Sequence, residues 1–518
     1  MFKPPPLGVG MMYFPALAAF YKSCGGLIDV LEIEPQTLWL NTRDQSKIEP
    51  KIEPKIEPKI KPKIEQKIEL DRLAFAQLLS YPQAKLVHGV GMPLAATVPP
   101  DPRQFAPWCA SVKCTQTPWA SEHLAFQRLP TTGGADQHSG FLLPPLQCTD
   151  TVEMAAQRIA ALRQLSGVPI AFENSPNYLR AGKGEIADGE FYARVAERTD
   201  CGIVLDLHNL WCNERNGRQS MREVLEALPL DRIWEVHLAG GEARNGFWLD
   251  AHSGWLPEPV LAFCHEWLPR MANLGAIIFE IMPEYVQAKG VQPTDLQVEL
   301  QKMQALWQSC QRSKAAQVVN PFVCPGKPIG ESEHCMSAQF PKNSAPALWE
   351  KCLGYLVNSR SLPEGDETSL LTKDPGVAIL QELVHSQRAG TLADGLTLSW
   401  RFLTLRIGEA ATEKLMAEFW LSQWPQAFAS DELALFGEFV REKLASGALD
   451  VRYLRNVLDY ELGRLHALTN AADHDEVAVN RAEQWVNFDC EPLELLNALA
   501  RGVLPEKMTP GCYALKVV

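Results

Sequence analysis

The stretch CGIVLDLHNLWCN, residues 201–213, holds a short apolar run that stops in an acid, an imidazole and an amide. Gly202–Leu205 has the length and composition of a strand buried on both faces. Asp206, His208 and Asn209 stand at its carboxyl end. Strand alternation predicts that Asp206 and His208 share a face, with Asn209 turning back in only if the strand has ended. Asp206 is therefore the firm member, while His208 and Asn209 compete for the second ligand role.

The same form recurs on both sides of this stretch. Apolar runs occur at LIDVLEIE (27–34), KLVHGVG (85–91), TPWASEH (117–123), PIAFEN (169–174), IWEVHLAG (233–240), FWLDAH (247–252) and AIIFEI (276–281). Amphipathic stretches such as TVEMAAQRIAALRQLS (151–166) and GEFYARVAERT (189–199) separate most of them. Eight strands alternating with helices predict an α/β fold, a closed TIM (β/α)8 barrel over residues 1–312. A Pro- and Cys-rich linker is expected over 313–345. A mainly helical domain follows over 346–518, ending in a strand, a helix and a strand. Inside the barrel region, KIEPKIEPKIEPKIKPKIEQKIEL (47–70) repeats every four residues with recurrent proline. It reads as a solvated insertion without regular helix.

Composition narrows the function. The chain has 518 residues and a net charge of -13, which disfavours a general nucleic-acid binder. No run of apolar residues is long enough for a transmembrane helix. Thirteen scattered cysteines, with no Cys-x-x-Cys pair and no secretory leader, predict reduced thiols and a cytoplasmic protein.

The chemistry is expected where strand ends converge. Glu34, His88, Glu173, Asp206, His208, Asn209, His237, Asp250, His252 and Glu280 all stand at predicted strand ends. A barrel brings such ends to one face. Buried carboxylates repel one another and lose hydration, and bound cations remove both penalties. Nitrogen and oxygen donors without cysteine suit iron, manganese or zinc. The donors exceed one coordination shell, so two or more ions are expected. Asp206, His237, Asp250 and Glu280 are the residues expected to act in catalysis. His123 is read as an ordinary structural histidine and Glu122 as a residue orienting a ligand.

HGVG (88–91), SEHLAF (121–126), FENSPNYL (172–179), LDLHN (205–209), VHLAGG (236–241), DAH (250–252) and FEI (279–281) occur in an order that resembles the multinuclear non-heme iron-dependent oxidative enzymes. That group contains the iron enzyme of methanobactin biosynthesis. The resemblance implies a xylose-isomerase-like barrel with two or three iron ions, and dioxygen as co-substrate. It also implies that a ribosomally made precursor peptide is modified at Cys or another metal-binding side chain. His88, Glu173, Asp206, Asn209, His237, Asp250, His252 and Glu280 would be ligands. The family's first-strand EVHAEN motif corresponds to EIEPQT (32–37), so Glu34 stands where a histidine is expected. Family enzymes often work with a partner protein that captures the precursor's leader. NFDCEPLELLNALARGV (487–503) resembles parts of such partners, which implies a fused partner-like domain. Two other readings stay open at this stage. One is a metal-dependent isomerase or hydrolase on the same fold. The other is a peptide-binding scaffold with a degenerate metal site.

Overall fold

The computed structural model describes residues 2–43, 66–131, 136–314, 335–362, 371–471 and 485–517. Eight parallel strands close a barrel: β1 (Gly8–Met12), β2 (Val30–Ile33), β3 (Ala84–Gly89), β4 (Ala120–His123), β5 (Ile170–Glu173), β6 (Gly202–Asp206), β7 (Ile233–Ala239) and β8 (Ala276–Glu280). Each strand pairs with the next in chain order, and β8 closes on β1. Helices such as Thr149–Ser166 and Asp188–Thr199 lie between consecutive strands.

The strand count is as expected, but two memberships are corrected. The first barrel strand is GVGMM, which the sequence reading passed over. Its glycines look like strand breakers, yet an added Cβ at Gly10 would come within 2.7 Å of Ile278 and of the Val30 carbonyl. Close strand packing therefore requires glycine there. FWLDAH is not a barrel strand. Phe247–Leu249 pairs antiparallel with Glu242–Arg244 in a separate hairpin. Its two-residue turn, Asn245-Gly246, has φ of 50° and 82°, the left-handed pair a tight hairpin turn needs. Asp250 and His252 follow it in a loop.

Alternation also sets the interior layers. Val30, Leu86, Trp119, Ala171, Val204, Ala276 and Ile278 share one buried apolar cluster with Trp234. Two residues further along their strands come Glu32, His88, Glu173, Asp206 and Glu280. Side chains two apart share a strand face, so an apolar floor lies directly under a polar layer.

The chain divides into two compact units, residues 1–38 with 73–382, and residues 39–72 with 383–518. This differs from the boundary expected at 313–345, of which 315–334 lies outside the described residues. The helix Ala345–Val357 belongs to the first unit because its polar groups are used there. Thr97 N donates to Glu350 Oε1 at 2.7 Å, and Trp349 Nε1 donates to the Pro144 carbonyl at 2.9 Å. Asn358, which caps this helix, donates to the Ser139 carbonyl at 2.9 Å.

The second unit is mainly helical, with a core that includes Phe402, Phe419, Phe436, Val457, Phe488 and Leu495. The expected terminal strand, helix and strand are Trp485–Cys490, Pro492–Ala500 and Pro510–Lys516. The two strands pair antiparallel. Most of the proline repeat lies outside the described residues. Its last five residues, Gln66–Leu70, form a strand paired with Trp39–Arg43. Beyond Pro62 nothing removes a backbone donor, and Ile68 is buried. A cleft of about 770 Å3 in this unit is lined by Asn41, Glu438, Arg441, Asp459, Trp485 and Asp489, among others. Among the described residues no helix is long and apolar enough to cross a membrane, and every cysteine is a free thiol.

Candidate metal centre

The polar layer above the barrel floor gathers donors from seven strands and one loop. Four overlapping groups each place one donor atom per residue within 4.8 Å of the others. They are His88–His123–Glu173, Glu32–His237–Glu280, Glu173–Asp206–His237 and Asp206–His252–Glu280. Glu173 joins the first group to the third. Its Oε2 is 2.8 Å from His123 Nδ1 and 3.1 Å from His88 Nε2, and its Oε1 is 3.3 Å from His237 Nδ1. Glu280 does the same on the other side, with Oε1 3.3 Å from His237 Nδ1 and Oε2 3.2 Å from His252 Nε2.

Of the ten expected ligands, six enter these groups: His88, Glu173, Asp206, His237, His252 and Glu280. Glu34, His208, Asn209 and Asp250 do not. Glu34 is half-buried just beyond β2, within electrostatic range of His88, His123, Glu280 and His252. The strand carrying Asp206 ends at that residue, and a helix runs from Leu207 to Arg215. Strand alternation therefore does not reach His208. Asp206 caps this helix, its Oδ1 accepting from Asn209 N at 2.7 Å. Asn209 donates to the Asn174 carbonyl at 3.1 Å, and its buried Oδ1 has no hydrogen-bond partner among the described residues. His208 Nδ1 lies 3.0 Å from Asp250 Oδ1.

Two members of the groups were missed. Glu32 is fully buried, with Oε2 3.1 Å from His237 Nε2. The signal was available, since Glu32 and Glu34 are two apart and share a face in a strand. His123 ends its strand as the other donors do. Its neighbour Glu122 serves the backbone instead, accepting from Met92 N at 2.8 Å and His123 N at 2.9 Å.

Charge is finely divided within the cluster. Burial, and then Glu235 beside it, pushes Glu32 up to about 8. Burial, with Asp250 and Glu173 nearby, raises Asp206 well above the carboxylate range. Burial opposes a charge on His88, but the Glu173 carboxylate outweighs it and lifts the ring to about 10. Burial is likewise overcome at His252 by Asp250 and Glu280. Glu173 goes the other way, since His123 and His88 hold it well below its usual value despite burial. Cations would replace these shared protons.

The donor atoms fit metal. Glu32 Oε1 and Oε2, Glu173 Oε2, Asp206 Oδ2, both ring nitrogens of His237 and Glu280 Oε2 are buried and make no well-aligned hydrogen bond among the described residues, although several lie in ion-pair contact with one another. Unsatisfied groups are rare in folded interiors, and here they converge. His252 adds backbone strain, with φ of 45° at a residue that bears a Cβ.

A family described as "RiPP precursor modification enzyme MbnB/TglH/ChrH" matches residues 72–305. A UPF0276 protein of Chromobacterium violaceum is 32% identical over 192 residues, covering 37% of this chain and 68% of that protein. The chain belongs to the MbnB/TglH/ChrH family. A UPF0276 protein of Streptomyces avermitilis is 30% identical over 196 residues, and the chain spans only 40% of its length. Among solved structures, a D-psicose 3-epimerase of Clostridium cellulolyticum is 12% identical, with a TM-score of 0.34, covering 59% of this chain and 98% of that one. A xylose isomerase domain protein of Planctomyces limnophilus is 13% identical, with a TM-score of 0.36, covering 60% and 99%. The family match takes in every grouped donor except Glu32, which lies before residue 72.

Proposed function

We propose that this chain is an enzyme that uses two or three iron ions and dioxygen to modify a ribosomally made precursor peptide oxidatively. The target is Cys or another metal-binding side chain. One observation carries this reading: four overlapping nitrogen–oxygen donor groups, with buried donor atoms that make no well-aligned hydrogen bond among the described residues, in a chain of a precursor-modifying family. Glu32, His88, His123, Glu173, Asp206, His237, His252 and Glu280 would hold the ions. Bound iron supplies the redox chemistry with dioxygen. The protein's own residues do the rest. The apolar floor excludes water from below, and the shared carboxylates Glu173 and Glu280 fix the spacing of neighbouring donors. His252 and His123, with side chains 26% and 15% exposed, are the open edge where a peptide side chain would enter.

We assign leader binding to the second unit, in the role that separate partner proteins play. Its cleft, with the half-exposed Trp485 and the carboxylates of Glu438 and Asp489, supports that assignment.

The test is anaerobic reconstitution of the full chain with ferrous iron, followed by air and a precursor encoded nearby. A mass change in the peptide is expected, dependent on both iron and dioxygen. Oxygen-independent turnover with zinc or manganese would overturn the oxidative reading in favour of isomerase or hydrolase chemistry. Failure to take up any metal would favour a scaffold. The leader half should quench tryptophan fluorescence, and Trp485→Ala should abolish that quenching. Unchanged quenching and affinity in the variant would overturn leader binding at this cleft.

A further inference from the structure

We infer that His208 is a positioning residue that orients Asp250, with Trp248 fixing the imidazole tautomer, and that His208 itself binds no metal. The inference rests on the metal reading of the adjoining cluster.

His208 is fully buried, and both of its ring nitrogens are engaged. Trp248 Nε1 lies 3.1 Å from His208 Nε2. An indole N–H only donates, so Nε2 must be the acceptor. The proton of the neutral ring is then on Nδ1, which donates to Asp250 Oδ1 at 3.0 Å. No lone pair is left to face a cation. Cys212 Sγ lies 3.8 Å from Nδ1, too far to displace the carboxylate.

The arrangement is built on both sides. The helix that starts beside His208 ends near Asn216, which grips the backbone of Trp248 twice. Asn216 Nδ2 donates to the Trp248 carbonyl at 2.9 Å, and Trp248 N donates to Asn216 Oδ1 at 2.8 Å. The Arg215 guanidinium lies 5.8 Å from the centre of the Trp248 ring. Gly241 passes so close that a Cβ there would come within 2.7 Å of the imidazole. Asp250 N donates to the Tyr178 hydroxyl at 3.1 Å, which holds the other end of the residue.

The oriented carboxylate faces the metal cluster. Asp250 Oδ1 is also 3.2 Å from His252 Nε2, and His252 groups with Asp206 and Glu280. Trp248, His208 and Asp250 thus form a line of contacts that ends on a donor histidine. Residues that orient ligands in this way typically account for about 10–100-fold in metal affinity.

The experiment compares the full-length chain with its His208→Ala, His208→Asn and Trp248→Phe variants. Each is loaded anaerobically with ferrous iron. Metal per chain is measured, then the rate and midpoint of removal by a chelator, with circular dichroism as the check on folding. His208→Ala should lose about tenfold or more in affinity at one metal position while the other metal stays. His208→Asn should retain the metal, because its amide nitrogen can stand in for Nδ1 and donate to Asp250. Trp248→Phe frees the tautomer and should fall between. If His208→Ala fails to fold, the Asn and Phe variants decide the matter. Equal metal loss in His208→Asn and His208→Ala would overturn the inference and make the ring a ligand. Wild-type retention in His208→Ala would overturn it alone. A wild-type chain that takes up no metal would overturn the metal reading and this inference with it.

Discussion

Replacing Glu173 by glutamine should empty at least half of the metal centre while leaving the fold intact. Glu173 is shared by two donor groups, and its carboxylate lies within 3.3 Å of His88, His123 and His237. Glutamine keeps the volume but replaces one oxygen by an NH2 group, which offers no lone pair. One residue's change therefore weakens two positions at once. Removing the carboxylate also takes away the anion that His88 and His123 share, while His237 keeps Glu32 and Glu280. Peptide modification should fall by about a thousandfold, equivalent to roughly 4 kcal/mol. A second readout is independent of turnover. Metal at about 100 times its Kd stabilises a folded chain by about 2.7 kcal/mol, so added iron should raise the melting temperature of the wild type. In Glu173→Gln that rise should shrink or vanish. Full metal content with a normal rise would remove Glu173 from the centre.

Truncating Trp119 to alanine should destabilise the barrel unit by about 3–5 kcal/mol through the lost burial and the cavity left behind. Trp119 is fully buried in the apolar floor, among Val30, Leu86, Ala171, Val204, Ala276 and Ile278. Its Nε1 also donates to Glu235 Oε2 at 2.9 Å, and Glu235 is itself fully buried. Alanine leaves that carboxylate oxygen without its donor, which costs about 1–3 kcal/mol more. Trp119→Phe separates the two effects, since the ring stays and only the N–H goes. Urea denaturation of the metal-free chain, followed by tyrosine and tryptophan signals, measures both. The barrel transition should move to lower urea by the larger step in the alanine variant. Equal stability in all three proteins would show that the floor tolerates a void there.

Much of the barrel was legible because strand physics is local. Buried parallel strands are continuous apolar runs, and every barrel strand but Gly8–Met12 carries near its end a polar side chain that a packed interior would otherwise exclude. That pattern alone marked His88, Glu173, Asp206, His237 and Glu280. It failed where local pattern and tertiary pairing disagree. Gly8–Met12 sets its one β-branched residue, Val9, between two glycines, and it packs as a strand where its neighbours leave no room for a Cβ at Gly10. Phe247–Leu249 has the aromatic residues that strands favour and yet pairs with its own hairpin, because Asn245-Gly246 turns the chain back at once. Glu32 was overlooked because an acid inside an apolar run reads as an interruption, although its alternation with Glu34 pointed inward.

The sequence by itself determined the alternating α/β plan, the polar strand ends, the insertion with its recurrent prolines and the ordered motifs of the family. Tertiary structure alone decided which of the clustered residues share a donor group. His208 and Asp206 are two residues apart, but a helix begins between them, so one turns to the donor groups and the other to Asp250. Which unit a segment joins was equally non-local. The helix Ala345–Val357 goes with the barrel because Glu350 and Asn358 find their hydrogen-bond partners there. Periodicity reports which face of an element is apolar. It does not report the partner that satisfies a buried polar atom, and at this centre those partners set the chemistry.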